Sequence, residues 1–145
     1  MSDAQQQLPA RQTFLLILLP LLATFVCQRL YLHLTGVRHV YPGGYLVHHL
    51  FFGIAFVVPA AFLLAFGSRR RRTAILARVA LGIGSAMILD EIVYLVATKA
   101  SDADYVSALS LRGAFVFVAL GVFLLWIFYK LQPDTDPLHH KKHET

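Results

Sequence analysis

The sequence predicts an all-α fold, a polytopic membrane protein built as a bundle of four transmembrane helices. Apolar residues make up 57% of the 145 residues and charged residues only 14%, whereas about a quarter of a typical soluble domain is charged. The apolar residues fall in four runs, each close to the roughly 20 residues that a helix needs to cross a bilayer. The composition therefore excludes an ordinary cytosolic domain, a disordered chain and a disulfide-held secreted scaffold, for which the single Cys27 has no partner.

The four spans are predicted at about 14–35, 44–67, 74–98 and 105–131, between polar tails at 1–13 and 132–145. The first span also resembles a signal peptide, because a tail with Arg11 precedes an apolar stretch. No small-x-small cleavage site follows, and the residues before Cys27 make a poor lipoprotein box, so we expect a retained helix. Membrane helices also tolerate the internal Pro20 and Pro59, because neighbouring helices re-satisfy the freed carbonyl groups.

The arginines predict the orientation of the chain in the cell membrane (inner or plasma membrane). Four arginines fill the loop 69–72 between the second and third spans, and short loops rich in Lys and Arg stay in the cytoplasm. Both termini are then cytoplasmic, and Arg11, Arg78 and Lys130 lie at the same face. Topology thus explains the net charge of +5, and no nucleic-acid partner is expected.

Polar and ionisable residues gather near the predicted outer ends of all four spans. At a helix rise of about 1.5 Å per residue they lie roughly 3–12 Å below those ends, and the inner halves of the spans are almost purely apolar. Two adjacent pairs dominate this layer, His48–His49 in the second span and Asp90–Glu91 in the third. Its other members are Arg29, His33, Tyr45, Tyr94, Ser107, Ser110 and Arg112.

These two pairs predict a metal site. A carboxylate near the middle of a bilayer costs roughly 2.5–3.5 kcal/mol, so Asp90 and Glu91 require a polar interior or a bound cation. Imidazole and carboxylate ligands together suit a divalent transition metal such as zinc or iron. We therefore expect His48, His49, Asp90 and Glu91 to bind the metal, with the other polar residues of the layer supporting the site or contacting substrate. The spacing matches neither ferritin-like di-iron helices nor a zincin helix.

The substrate of such a site is predicted from its depth. A site just below the outer headgroups is accessible to a lipid or another membrane-soluble small molecule moving sideways in the bilayer. The expected partners are therefore the lipid bilayer and a lipid-like substrate.

The same residues are also consistent with a non-catalytic protein. Asp90 paired with Arg29, and Glu91 paired with Arg112 or His48, would form an ion-pair network that joins the helices. The chain would then be a small-ligand-binding protein or an accessory subunit, within a homo-oligomer or a larger membrane complex.

Three further chemical alternatives have less support. Proton movement along Glu91 and His49 lacks a polar path through the inner half of the membrane. Ser107 or Ser110 with a histidine and Asp90 would make a nucleophilic triad, but such triads are recognised by geometry. Haem ligation is not expected, because the third and fourth spans contain no histidine.

Two local features are predicted to be structural. A patch of small residues in the third span indicates close helix packing; it consists of Gly82, Gly84, Ser85 and Ala86. Asp104 is predicted to cap the fourth span.

The middle of the chain, about 45–107, resembles a family of small prokaryotic four-helix integral membrane proteins. The resemblance rests on His48-His49 opening one helix, on Gly82-Ile83-Gly84 leading to Leu89-Asp90-Glu91 in the next, and on Asp104-Tyr105-Val106-Ser107 after it. It implies that the His pair and the acidic pair belong to one site, and it implies no particular reaction.

Overall fold

A computed structural model describes residues 8–35, 48–66, 70–99 and 101–132, and in these ranges the chain is helical without strands. The helices are α1 (Ala10–Thr35), α2 (His49–Ala65), α3 (Arg71–Ala97), α4 (Asp102–Tyr105) and α5 (Ala108–Leu131). Helices α1, α3 and α5 are long and apolar enough to cross a membrane, and α2 is a shorter apolar helix of 17 residues. The all-helical fold is thereby confirmed, and a membrane location in general is supported.

The helix bounds differ from the predicted spans by three or four residues at the starts of the first, third and fourth spans. In place of one helix from about 105, the short α4 ends at Tyr105 and α5 begins at Ala108. Ser107 is the N-cap of α5, and its hydroxyl accepts a 3.2 Å hydrogen bond from the Ser110 amide. The predicted start of the second span at 44 lies outside the described residues.

The prediction that Asp104 caps the long helix is wrong. Its side chain instead stabilises the start of α4. It forms a capping box with Ser101, in which the Asp104 backbone N–H donates to the Ser101 hydroxyl at 3.3 Å and the Ser101 backbone N–H donates to the Asp104 carboxylate at 3.2 Å. The Ser101 hydroxyl also donates to that carboxylate at 2.7 Å. That hydroxyl, with the Ser101 backbone N–H, lowers the pKa of Asp104 from its usual value. This short helix positions Tyr105, which is 3% exposed.

Helix α3 is the central element, because it packs against α1, α2 and α5. A Cβ atom on Gly84 would lie 2.6 Å from the carbonyl oxygen of Gly53 in α2. A Cβ atom on Gly82 would clash with the carbonyl oxygen of Ile17 in α1. The small residues therefore allow two backbones to approach α3 closely, which confirms the predicted packing role of this patch.

The bundle buries few large side chains and exposes many. Its hydrophobic core is a small cluster that includes Leu21, Phe25 and Ala114. Large apolar side chains such as Phe66 and Val96 are more than four-fifths exposed. A water-soluble protein rarely exposes so much apolar surface. A hydrocarbon environment accommodates it, since lipid tails solvate such side chains.

Candidate functional site

Polar side chains from all five helices meet at one end of the bundle, where α1 and α3 end and where α2 and α5 begin. We call this group the polar cluster; it consists of Arg29, His48, His49, Asp90, Glu91, Tyr94, Tyr105 and Ser110. Its two carboxylates are sealed from solvent, Asp90 at 0% and Glu91 at 1% exposure. The two imidazoles are more open, with side-chain exposures of 16% for His48 and 24% for His49. The cluster is therefore accessible from its α2 side.

Arg29 neutralises Asp90 and links four helices. Its Nε atom donates to Asp90 Oδ1 in a buried ion pair. Its Nη1 atom donates to the Tyr105 carbonyl at 3.2 Å, and its Nη2 atom lies 3.4 Å from Ser110 Oγ and 3.3 Å from the Asp90 carbonyl. A buried charge is tolerated when it is paired and hydrogen-bonded in this way.

Glu91 connects α3 to the beginning of α2. Its Oε1 atom lies 2.9 Å from His48 Nδ1, and its Oε2 atom accepts the Leu50 backbone N–H at 2.6 Å. His48 is the N-cap residue of α2, but its side chain makes no capping hydrogen bond. Glu91 satisfies one of the otherwise unpaired amides at this helix start, and its negative charge is favourable beside the helix N-terminus.

His49 lies between the two carboxylates, with one ring nitrogen facing each. Its Nε2 atom is 2.8 Å from the Tyr105 hydroxyl and 3.4 Å from Asp90 Oδ2. Its Nδ1 atom is 3.6 Å from Glu91 Oε1. Because the Tyr105 hydroxyl donates to Asp90 at 2.8 Å, its oxygen is left to accept a hydrogen bond from the N–H of His49 Nε2.

Two tyrosine rings close the cluster. The rings of Tyr94 and Tyr105 meet edge-on with their centroids 4.6 Å apart, and the ring of Tyr94 lies 5.9 Å from that of His48. Tyr105 also packs under the Arg29 guanidinium, 5.3 Å from its ring centroid. Sequence reasoning did not include Tyr105 among the site residues. The available signal was its position in the segment 104–107, which the family resemblance includes.

The remaining predicted site residues are not all in the cluster. Ser107 caps α5, and His33 is exposed in the last turn of α1. Arg112 is also exposed; two residues after the buried Ser110, it points about 200° away around the helix, so its predicted pairing with Glu91 is not formed. Tyr45 lies outside the described residues.

Within the described ranges, no three His, Cys, Asp or Glu side chains form a ready-made metal site. Comparison with known proteins adds no functional assignment: the chain matches no protein-family model, no curated protein and no solved structure.

Proposed function

We propose that the polar cluster is a divalent-metal site near the outer face of a cell membrane. In this proposal the chain crosses the membrane four times and has both termini in the cytoplasm. Zinc or iron is the proposed metal. A lipid or another membrane-soluble small molecule is the proposed substrate class.

The proposed topology rests on the helix order and on the arginines. Helix α2 has 17 residues, about 25 Å at the α-helical rise, which is at the lower limit of a membrane span. If α2 spans, the arginines at 70–72 lie at the end of the bundle opposite the polar cluster. The positive-inside rule then assigns the arginines to the cytoplasm and the polar cluster to the outer side.

The observation that carries the metal proposal is the contact between His49 and Glu91. With its Nε2 proton directed at Tyr105, a neutral His49 presents the lone pair of Nδ1 to Glu91 Oε1, 3.6 Å away. Two acceptors facing each other in a buried site repel unless a cation lies between them. The positive charge between them is either a proton, shared with His49 or Glu91, or a metal ion.

The distances around Glu91 Oε1 are compatible with a metal ion. Zinc ligands at 2.0–2.1 Å from the metal lie about 3.3 Å from one another in a tetrahedron. The two imidazole Nδ1 atoms, of His48 and His49, are 2.9 and 3.6 Å from this oxygen, close to that separation. These two histidines and Glu91 are thus the proposed ligands.

Asp90 takes a different role from the one predicted. The Arg29 guanidinium already neutralises its charge, and its second oxygen accepts from Tyr105, whereas the partners of Glu91 are a histidine and a backbone amide. We therefore assign Asp90 a supporting role and keep Glu91 as the ligand. Metal-binding histidines usually donate their second ring N–H to a carboxylate or a similar acceptor, and Asp90 with Tyr105 supplies that acceptor to His49. Asp90 therefore orients the imidazole.

A divalent metal in this position would act as a Lewis acid and would activate water for hydrolysis. The partly exposed histidines, on the α2 side of the cluster, are where a membrane-soluble substrate would approach. The sealed Asp90–Arg29 pair behind them would hold the geometry during the reaction.

Elemental analysis of the untagged, detergent-purified chain tests the proposal. The tail histidines are first replaced by glutamine, so that His139, His140 and His143 cannot bind metal adventitiously. We expect about one equivalent of zinc or iron per chain. His49→Gln and Glu91→Gln should lose it, while the control His33→Gln should retain it. Folded protein that contains no metal and cannot be loaded with zinc or iron would disprove the proposal.

A second function is favoured by the completeness of the hydrogen bonding. Each oxygen of Asp90 and Glu91 already has a protein partner, as in a structural network that holds an accessory subunit together. His49 would then carry two protons. The nitrogen-15 chemical shifts of its ring distinguish an imidazolium from a metal-bound imidazole, and copurification of a stoichiometric partner would support this alternative.

A further inference from the structure

A cavity of about 150 Å³ lies between α1 and α5, at the end of the bundle opposite the polar cluster. Its deeper walls are apolar and include Ile17 and Leu125. Its polar lining comes from Thr13, Tyr129 and Gln132, which lie nearer to that end of the bundle. Apolar depth with a polar mouth is the arrangement that an amphiphile requires.

Basic side chains contact two residues that line this cavity. Arg78 reaches it from α3, because its Nε atom donates to the Thr13 hydroxyl at 3.2 Å. The Lys130 ammonium lies 5.7 Å from the ring centroid of Tyr129, and Arg11 follows the lining residue Ala10.

Among the side chains that the structure describes, Arg11, Arg78 and Lys130 form no ion pair. The ion pairs there involve Asp90 and Glu91, and Asp104 bonds to Ser101. All three carboxylates belong to the opposite end of the bundle. Basic side chains at the mouth of an apolar cavity favour an anionic ligand.

We propose that this cavity binds an anionic phospholipid of the inner leaflet, with part of one acyl chain between α1 and α5. The phosphate would contact Arg78, Lys130 and the Thr13 hydroxyl. Basic pockets between transmembrane helices at the cytoplasmic side bind such headgroups. The apolar walls favour a lipid over a free phosphate, and the volume admits a segment of one acyl chain rather than a whole lipid. The site is independent of the metal proposal and shares with it only the membrane topology.

Native mass spectrometry of the full chain in detergent tests this site with two probes, phosphatidylglycerol and phosphatidylcholine of the same acyl chains. We expect the protein to retain the anionic lipid preferentially. Each basic residue near a membrane surface contributes about fivefold to such binding, so Arg78→Gln and Lys130→Gln should each weaken phosphatidylglycerol retention by about that factor. Lys130 is exposed, so its substitution keeps the test valid even if Arg78→Gln fails to fold.

Arg112→Gln is the matched control, because it removes the same charge from an exposed position near the opposite end of α5. It should leave lipid retention unchanged. Added glycerol 3-phosphate should not displace the lipid, whereas displacement would identify a phosphate site instead. Equal retention of the two lipids, or equal losses in Arg78→Gln and Arg112→Gln, would overturn the proposal.

Discussion

At the scale of single residues, Arg29 is the most consequential side chain of the polar cluster. It is 7% exposed, and it pairs with a carboxylate that is fully buried. Interhelical polar contacts in membranes contribute only about 0.6 kcal/mol on average. The Arg29–Asp90 pair therefore adds little to the free energy of unfolding. Its main effect is to prevent the cost of the unpaired buried charge that remains when one partner is removed.

Arg29→Met should destabilise the protein by about 3–5 kcal/mol, because it leaves Asp90 buried without a counter-charge. Thermal unfolding followed by circular dichroism in detergent measures this change. The double variant Arg29→Met with Asp90→Leu removes both charges and should recover much of the loss. Arg112→Met is the control at an exposed position and should be nearly neutral. If Arg29→Met is as stable as the unchanged protein, the Arg29–Asp90 pair does not stabilise the fold.

The sequence allowed the main pairings to be foreseen but not their geometry. Burial of Asp90 and Glu91 in a membrane demands partners, and Arg29 and His48 were available at matching depth. Arg112 was an equally good candidate by depth, and only its angle around α5 excludes it. Tyr105 could not be deduced from hydropathy, because its position depends on the turn between α4 and α5.

At the scale of the helices, backbone contact through glycine explains how α2 is held against α3. The Cβ position of Gly84 and the carbonyl oxygen of Gly53 would be 2.6 Å apart, and the reciprocal distance is 2.7 Å. An obstacle formed by backbone cannot move aside like a side chain. The position of His48 and His49 relative to Glu91 therefore depends on this contact, one to two turns further along α2.

Gly84→Ala should separate α2 from α3 and cost about 1–3 kcal/mol, the usual penalty of overpacking. Gly121→Ala is the control, because its new Cβ atom would meet only the Leu89 Cδ1 atom, at 2.9 Å. The end of that side chain can rotate away, so we expect a much smaller effect. Unfolding temperatures of the two variants in the same detergent give the comparison. Equal temperatures would show that the close α2–α3 contact does not stabilise the fold.

Hydropathy predicted the helices better than it predicted their beginnings. Apolar runs place a helix, but the hydroxyl groups of Ser101 and Ser107 determine where α4 and α5 start. Helix starts depend on such local hydrogen bonds. A break between Tyr105 and Ala108 is therefore invisible in a window of average hydropathy.

At the scale of the whole molecule, the two ends of the bundle carry different chemistry. One end contains the buried, internally paired polar cluster, and the other carries Arg78 and Lys130, which form no ion pair among the described side chains. Both proposed sites depend on which end of the bundle faces which side of the membrane. The metal site requires the first end to face outward, and the lipid site requires the second end to face the inner leaflet.

Cysteine labelling in intact cells tests this alignment. Cys27 is exposed on α1, so it is first replaced by serine, and a single cysteine is then introduced at Val106 or Gln132. Both positions are exposed and follow the ends of helices. If α2 crosses the membrane and the arginines remain in the cytoplasm, a membrane-impermeant maleimide should label Val106→Cys in intact cells. It should label Gln132→Cys only after permeabilisation. The reverse pattern would invert the topology and would move the polar cluster to the cytoplasmic face, whereas labelling of both positions from outside would mean that α5 does not span the membrane.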